Sequence, residues 1–414
     1  MGELRSLHIV FLSSAQEMLG TYFRAFFLAK YLVKQGHKVL LVIGSKRAAF
    51  KVTRKLVDGV EVFLHPLVDF HANLLVGSLS RISTTFMQAL LNCILEITCD
   101  FDILHSFDVM WPQNTLPTLI STIKRSLKIS EHKVFVDWDD WWGGGGLLTQ
   151  RGTGIPYYPY QIAPLLEFLE EKVPLCADAV TVTNETLKQH ALKSGVKSED
   201  LYMIPNGANI DFIKPFNMHD AREELNLPME GLIYTHVGSS SLDIEAFNHL
   251  ILAHKNVVKR CSDALLLLVG KIRKDEINLI KALNVTKNVL WVGPQPDSKY
   301  RLYLSASDAF LLPMKDNIFN RARWPLRLGD YLAAGRPIIA TDLPEIKKVV
   351  SECGLLAKPN DPKDFASKIL EIITDQDLRE KMGKRARELA ERNFSWQILA
   401  NQLGKIYNQY VSSS

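Results

Sequence analysis

Leu7-His8-Ile9-Val10-Phe11-Leu12, the loop Ser13 to Gly20, the stretch Thr21 to Gln35, and Lys38 to Ile43 decide the fold. The first run is apolar and short, as a buried strand is. In the third piece Phe23, Phe26, Phe27, Ala29 and Leu32 share one face at helical spacing, which suits a helix lying on a sheet. Gly36-His37 closes that helix, and the next strand begins at once. Strand, helix and strand in so short a span make a parallel pair with a crossover helix.

The same alternation continues outward. Strands are expected at 60–64, 103–105, 134–137, 179–183 and 201–204, followed by the turn cluster Pro205-Asn206-Gly207-Ala208. A second series is expected at 232–237, 265–269, 289–292, 309–312, 338–340 and 355–357, each with a helical stretch behind it. At 414 residues the chain exceeds what one hydrophobic core usually supports. The expectation is an α/β protein of two Rossmann-like α/β/α domains facing a cleft. Residues 1–210 form the first, 211–394 the second, and the helix at 395–414 has no strand left to connect and turns back to the first.

Composition narrows the function. A formal charge of +4 is small for this length and argues against a dedicated nucleic-acid binder. Five scattered cysteines without metal-ligand spacing point to reduced thiols. The apolar run at the N-terminus is too short for a signal peptide, and no uncharged run reaches membrane-spanning length. A cytoplasmic protein of unknown oligomeric state is expected. Lys46, Arg47, Lys51, Arg54 and Lys55, with the apolar stretch 86–95, leave room for peripheral contact at the inner membrane face, although a solvated surface and a core helix explain them more simply.

Four segments resemble one family. They are 180–187 through 202–211 (ending Pro-Asn-Gly-Ala-Asn-Ile-Asp), 288–293 leading to 303–313, Pro325-Leu-Arg-Leu-Gly-Asp-Tyr through Gly335-Arg-Pro to Thr341, and Met382-Gly to Phe394-Ser-Trp396. In this order they resemble the retaining GT-B glycosyltransferases of family 4, also called glycosyl transferases group 1. The resemblance covers about residues 180–410 and only outlines the first domain. It implies transfer of a sugar from a nucleoside diphosphate sugar to an acceptor glycan, lipid or small molecule, with retention, no metal and no cofactor.

The resemblance also implies roles. A carboxylate can accept two hydrogen bonds from vicinal ribose hydroxyls, and Asp330 stands where the family places that acid. Read locally, Asp330 could equally answer a helix dipole. Many members carry a second acid eight positions earlier, where this chain has Ala322. Arg327 takes a lysine's place and suits a diphosphate, with Arg323 and Arg321 as nearby cations. Gly238, Ser239 and Ser240 precede a helix, an arrangement that favours phosphate but is also ordinary capping. The Arg and Lys usual there are missing, and Lys271, Arg273 or Lys274 could replace them. Gly20 occupies the corresponding loop of the first domain.

Asp137-Trp138-Asp139-Asp140-Trp141-Trp142 and four glycines end the strand near 134–137. Carboxylates grip sugar hydroxyls and indoles stack on pyranose rings, so Asp137, Asp140, Trp138 and Trp141, with Arg24, are the acceptor and sugar candidates. Asp139 sits where the family often has a sugar-facing histidine. Asp139 and His105, the latter at another strand end, are the catalytic candidates. The glycines suggest a loop that moves on binding. Three acids within four residues, with no histidine at ligand spacing, make a poor metal site. Three other functions fit the residues: a nucleotide-sugar epimerase of the same architecture, a non-catalytic nucleotide-sugar-binding or scaffold protein, and a membrane-surface adaptor using the basic patch.

Overall fold

A computed structural model describes residues 5–18, 20–45, 51–66, 74–147, 163–238 and 244–412, with side chains of the 74–98 helix from residue 84 onward. The chain forms two compact units: the first holds residues up to Thr149, Tyr157–Pro205 and Trp396–Ser414, and the second holds Asn206–Ser395.

The first unit's strands are β1 (His8–Gln16), β2 (Lys38–Gly44), β3 (Thr53–Val57), β4 (Val60–His65), β5 (Ile103–Phe107), β6 (Lys133–Trp138), β7 (Ala179–Val182) and β8 (Leu201–Met203). They order as β3-β4-β2-β1-β5-β6-β7-β8. All neighbours are parallel except β3, which runs antiparallel to β4 across the Asp58-Gly59 turn. The helices of this unit are α1 (Thr21–Lys34), α2 (Leu74–Thr98), α3 (Pro112–Ser126), α4 (Ala163–Lys172) and α5 (Glu185–Ser194).

The second unit contributes α6 (Met218–Glu224), β9 (Ile233–Val237), α7 (Ile244–Val258), β10 (Leu265–Val269), α8 (Lys274–Ala282), β11 (Val289–Gly293) and α9 (Asp297–Ser305). It continues with β12 (Ala309–Leu312), α10 (Ile318–Arg321), α11 (Leu326–Ala334), β13 (Ile338–Thr341), α12 (Pro344–Cys353), β14 (Gly354–Ala357), α13 (Pro362–Thr374) and α14 (Gln376–Leu389). Its strands order as β11-β10-β9-β12-β13-β14, all parallel. Alternate residues feed two cores. Ile233, Leu267, Phe310 and Ile338 enter one, and Tyr234, Leu266, Leu311 and Ile339 the other. A parallel sheet buried on both faces requires such apolar runs.

The final helix, α15 (Trp396–Ser412), packs on the first unit. Trp396 stacks on Phe27 of α1, with centroids 5.5 Å apart, and Tyr407 is wholly buried beside Phe135.

Part of the basic stretch is the edge strand β3, where Arg54 pairs with Glu61 and Lys55 with Glu17. Lys46 and Arg47 lie outside the described residues. On α2, Phe86, Leu90, Ile94 and Ile97 form an exposed apolar stripe rather than a core face. Among the described residues no helix is long and apolar enough to cross a membrane.

In each sheet the first strand in sequence lies between strands reached in opposite directions, β1 between β2 and β5, and β9 between β10 and β12. Open α/β sheets bind ligands just beyond the carboxyl ends of strands at such switch points. The loops after β1, β5, β9 and β12 are the places to look.

Candidate functional site

In the second unit, Arg327 and the loop after β9 meet. Arg327 Nη1 donates to Val237 O at 3.1 Å, and a Cβ on Gly238 would lie 2.6 Å from that nitrogen. Gly238 has φ of 126°, where side chains are strained. A Cβ on Gly270, just past β10, would fall 2.1 Å from Gly238 O, so the two loop backbones touch. Lys271 follows directly, exposed, whereas Arg273 pairs with Asp275 at 3.0 Å. Ser239 and Ser240 lie outside the described residues.

Asp330 stands one turn beyond Arg327 on α11, on the same side of the helix. It occupies the second turn rather than the helix start, so the dipole explanation loses its basis. Its Oδ2 accepts a hydrogen bond from Tyr300 Oη at 2.7 Å. Burial raises its carboxyl to about 6 against the opposing pull of that hydroxyl, and Asp297 adds to the rise. Arg323 is mostly buried, its guanidinium 5.0 Å from the Phe319 ring centre. Arg321 is committed to Asp316 by two hydrogen bonds of 2.5 and 2.8 Å. Ala322 is fully buried. A cation, a glycine loop whose Gly238 N–H is taken by Val269 O at 2.9 Å, and a half-buried carboxylate thus share the switch point of this sheet.

The first unit's edge is acidic. Asp139 is the first residue beyond β6, and its Oδ2 accepts from Thr21 Oγ1 at 2.8 Å, which ties it to the start of α1 beside Gly20. Gly20 has φ of 49°, and a Cβ there would meet open space. Asp108, beyond β5 and also at positive φ (54°), accepts from Ser14 Oγ at 3.3 Å. Both carboxylates are over nine-tenths buried, and each has one oxygen without a hydrogen-bond partner. Burial raises both; Asp139's charge lifts Asp108 well above the usual range, while Asp137 adds to the rise at Asp139. The pair therefore retains a proton where isolated acids would have lost theirs. Asp140 stands half-buried beside them.

Four candidates of the first unit are turned inward, which corrects their assignment. Asp137 accepts from Arg24 Nε (2.8 Å), Arg24 Nη2 (2.7 Å) and Thr181 Oγ1 (2.5 Å), and Arg24 also donates to Pro205 O. This ion pair is 1% exposed or less and has no face for a sugar. His105 is fully buried, hydrogen-bonded to Tyr407 Oη and Thr181 Oγ1. Burial lowers it to about 4, so it is a neutral core histidine. Trp138 is buried and donates Nε1 to Glu170 at 2.8 Å. Trp141 stacks on His190 at 3.8 Å, which occupies one ring face.

The glycine run is closely packed in this structure. A Cβ on Gly143 would lie 2.8 Å from Glu167 Cγ, one on Gly144 2.8 Å from Glu167 Oε1, and one on Gly146 2.2 Å from Trp141 O. The glycines let the turn press against α4.

Sequence reasoning missed Asp108, Tyr300 and Glu170. Asp108 carried a usable signal, being the residue after a strand at the switch point; the other two are set by packing alone. Among the described residues there is no group of three or more His, Cys, Asp or Glu side chains placed to hold a metal.

Known proteins resemble the chain along nearly its whole length. The family described as Glycosyltransferase Family 4 matches residues 24–212, and Glycosyl transferases group 1 matches 217–389. The phosphatidyl-myo-inositol mannosyltransferase of Mycobacterium leprae is 24% identical over 216 residues, 52% of this chain and 55% of that protein. The alignment thus spans about half of that relative. Sucrose-phosphate synthase from Thermosynechococcus elongatus superposes with a TM-score of 0.74 at 19% identity, covering 99% of this chain and 100% of the other. Anabaena HepE, solved in complex with UDP and glucose, gives 0.67 at 16% identity, covering 97% and 100%. At those identities the two structures speak to the fold, which is GT-B.

Proposed function

The chain belongs to the family 4 glycosyltransferases, and from that premise we propose that it moves a sugar from a nucleoside diphosphate sugar to an acceptor glycan, lipid or small molecule, retaining anomeric configuration without a catalytic metal. The observation that carries this is the conjunction of Arg327, the Gly238 backbone and Asp330 at one sheet edge. A planar guanidinium suits a diphosphate, and a carboxylate one turn away suits the ribose diol. As the sugar–phosphate bond breaks, charge grows on the leaving diphosphate, and preorganised donors lower that barrier. In this reading the departing phosphate takes the acceptor's proton, and the acidic edge of the first unit grips hydroxyl groups through Asp139 and Asp140.

A donor-hydrolysis screen across UDP-, GDP- and ADP-sugars, with and without chelator, tests the reading. Wild type should release nucleoside diphosphate from one of them equally well in both conditions. Asp330→Ala should lose about 10- to 100-fold of that rate, the value of a charged hydrogen bond or two. Unchanged turnover in the variant defeats the site, and an isomerised nucleotide sugar would favour the epimerase.

A further inference from the structure

The turn beyond β6 is held by one side chain from another element. Glu170 on α4 is 3% exposed. Its Oε1 accepts from Trp138 Nε1 at 2.8 Å and from the Trp142 backbone N–H at 2.9 Å, and its Oε2 from the Gly143 N–H at 2.6 Å. These donors flank Asp139 and Asp140 on both sides in sequence. The Gly143 and Gly144 backbones lie so close to Glu167 and Glu170 that neither tolerates a Cβ without displacement.

No ion pair to Glu170 is found among the described residues, so its charge is buried at a cost. Only a carboxylate meets three converging donors with acceptors alone. A glutamine would turn an N–H₂ toward one of them. The three donors match the ionised form of this acid, and the turn carries the two acidic residues that the proposed chemistry uses.

We propose that Glu170 is a positioning residue for sugar transfer, an inference that rests on the function proposed above: by gripping the 138–143 turn it fixes where Asp139 and Asp140 stand at the end of β6. Protonation would place a hydrogen on an oxygen that already faces an N–H, and one bond of the grip would be lost. Burial pushes this carboxyl to about 7, against the three hydrogen bonds that lower it and with Glu167 adding to the rise. The other groups around the turn are His190 of α5, held neutral by burial at about 4, Asp137 and Asp139 from β6 and its end, Asp108 beyond β5, and Arg24 of α1, which neutralises Asp137. Asp108 and Asp139 are raised as well, so a variant must separate them from Glu170.

Three of the seven tryptophans lie in this turn, which makes intrinsic fluorescence its reporter. Wild type, Glu170→Gln, Glu170→Asp and Asp108→Asn are titrated from pH 5.5 to 8.5 as full chains. UDP binding is followed by calorimetry and turnover with the donor found in the screen. Wild type should show a fluorescence step near pH 7 and a kcat that rises through the same range. In Glu170→Gln the step should vanish, kcat should fall about tenfold or more, within the ~100-fold that a misplacement of about 1 Å costs, and UDP affinity should stay within about twofold. Asp108→Asn should keep the step. Should Glu170→Gln fail to fold, Glu170→Asp carries the test: the shorter carboxylate should recover part of kcat and move the step in pH.

Wild-type kcat in Glu170→Gln, a step that survives there, or a step abolished by Asp108→Asn overturns the proposal. Wild type that neither binds a nucleoside diphosphate nor turns over any donor overturns the functional reading and this inference with it. That outcome is told apart because the unmodified chain is itself inert.

Discussion

At the ends of β5 and β6 the first unit gathers Asp108, Asp139 and Asp140, while beyond β9 the second presents Arg327 and Lys271 beside Gly238. The two sheets share a wiring pattern, and both edges are switch points. What differs is the charge each can hold. The second edge offers donors to an anion. The first offers acceptors to a neutral, hydroxyl-rich group, and its crowded acids keep a proton because both cannot ionise cheaply in a buried setting. The same fold thus supplies opposite chemistry through a few residues at the strand ends.

Breaking the hidden support of the acidic edge should have the largest effect. Arg24→Ala leaves Asp137 buried without its partner, and unfolding of the first unit by urea should show a loss of about 3–5 kcal/mol. The basic edge should respond in binding instead. Arg327→Ala should weaken UDP by about 10- to 100-fold in calorimetry, and Arg327→Lys should recover little, since an ammonium lacks the planar fork.

The smallest effect sharpens the contrast. Asp108 and Asp139 have folded values above their unfolded ones. Their contribution to stability is complete below the unfolded range near 3.9 and fades as pH climbs through the folded values. Asp108→Asn removes the repulsion, so thermal unfolding at pH 8 should shift upward, on the order of 1 kcal/mol. The melting temperature should also fall less between pH 5 and 8 than in wild type. A downward shift would mean that the two acids do not repel one another in the folded chain.

Much of the architecture was legible because parallel strands buried on both faces must be apolar runs, and their helices must carry one apolar stripe. The strand β3 escaped for the opposite reason. Thr53-Arg-Lys-Leu-Val57 lies at an edge with most side chains exposed, so it reads as a cluster of charge. In the site, Arg327, Gly238 and Asp330 were legible as a pattern within one unit. His105 was not: its ring is satisfied by Tyr407, which arrives from the far end of the chain. Trp138 looked like a sugar platform until Glu170 was found on its indole nitrogen.

The order of residues along the chain by itself determined the two α/β units and the strand ends where functional groups had to be sought; it put the boundary at 210, whereas the compact units divide at Pro205. Those features follow from periodicity and turn chemistry, which act between near neighbours. Which of the acids at those ends face outward, and which are locked to an arginine or crowded against another acid, was decided only by packing. Hydrogen bonds such as Thr21 to Asp139 and Arg24 to Asp137 close over more than a hundred residues. The ionisation of a buried carboxylate depends on what surrounds it in space, and no local pattern carries that.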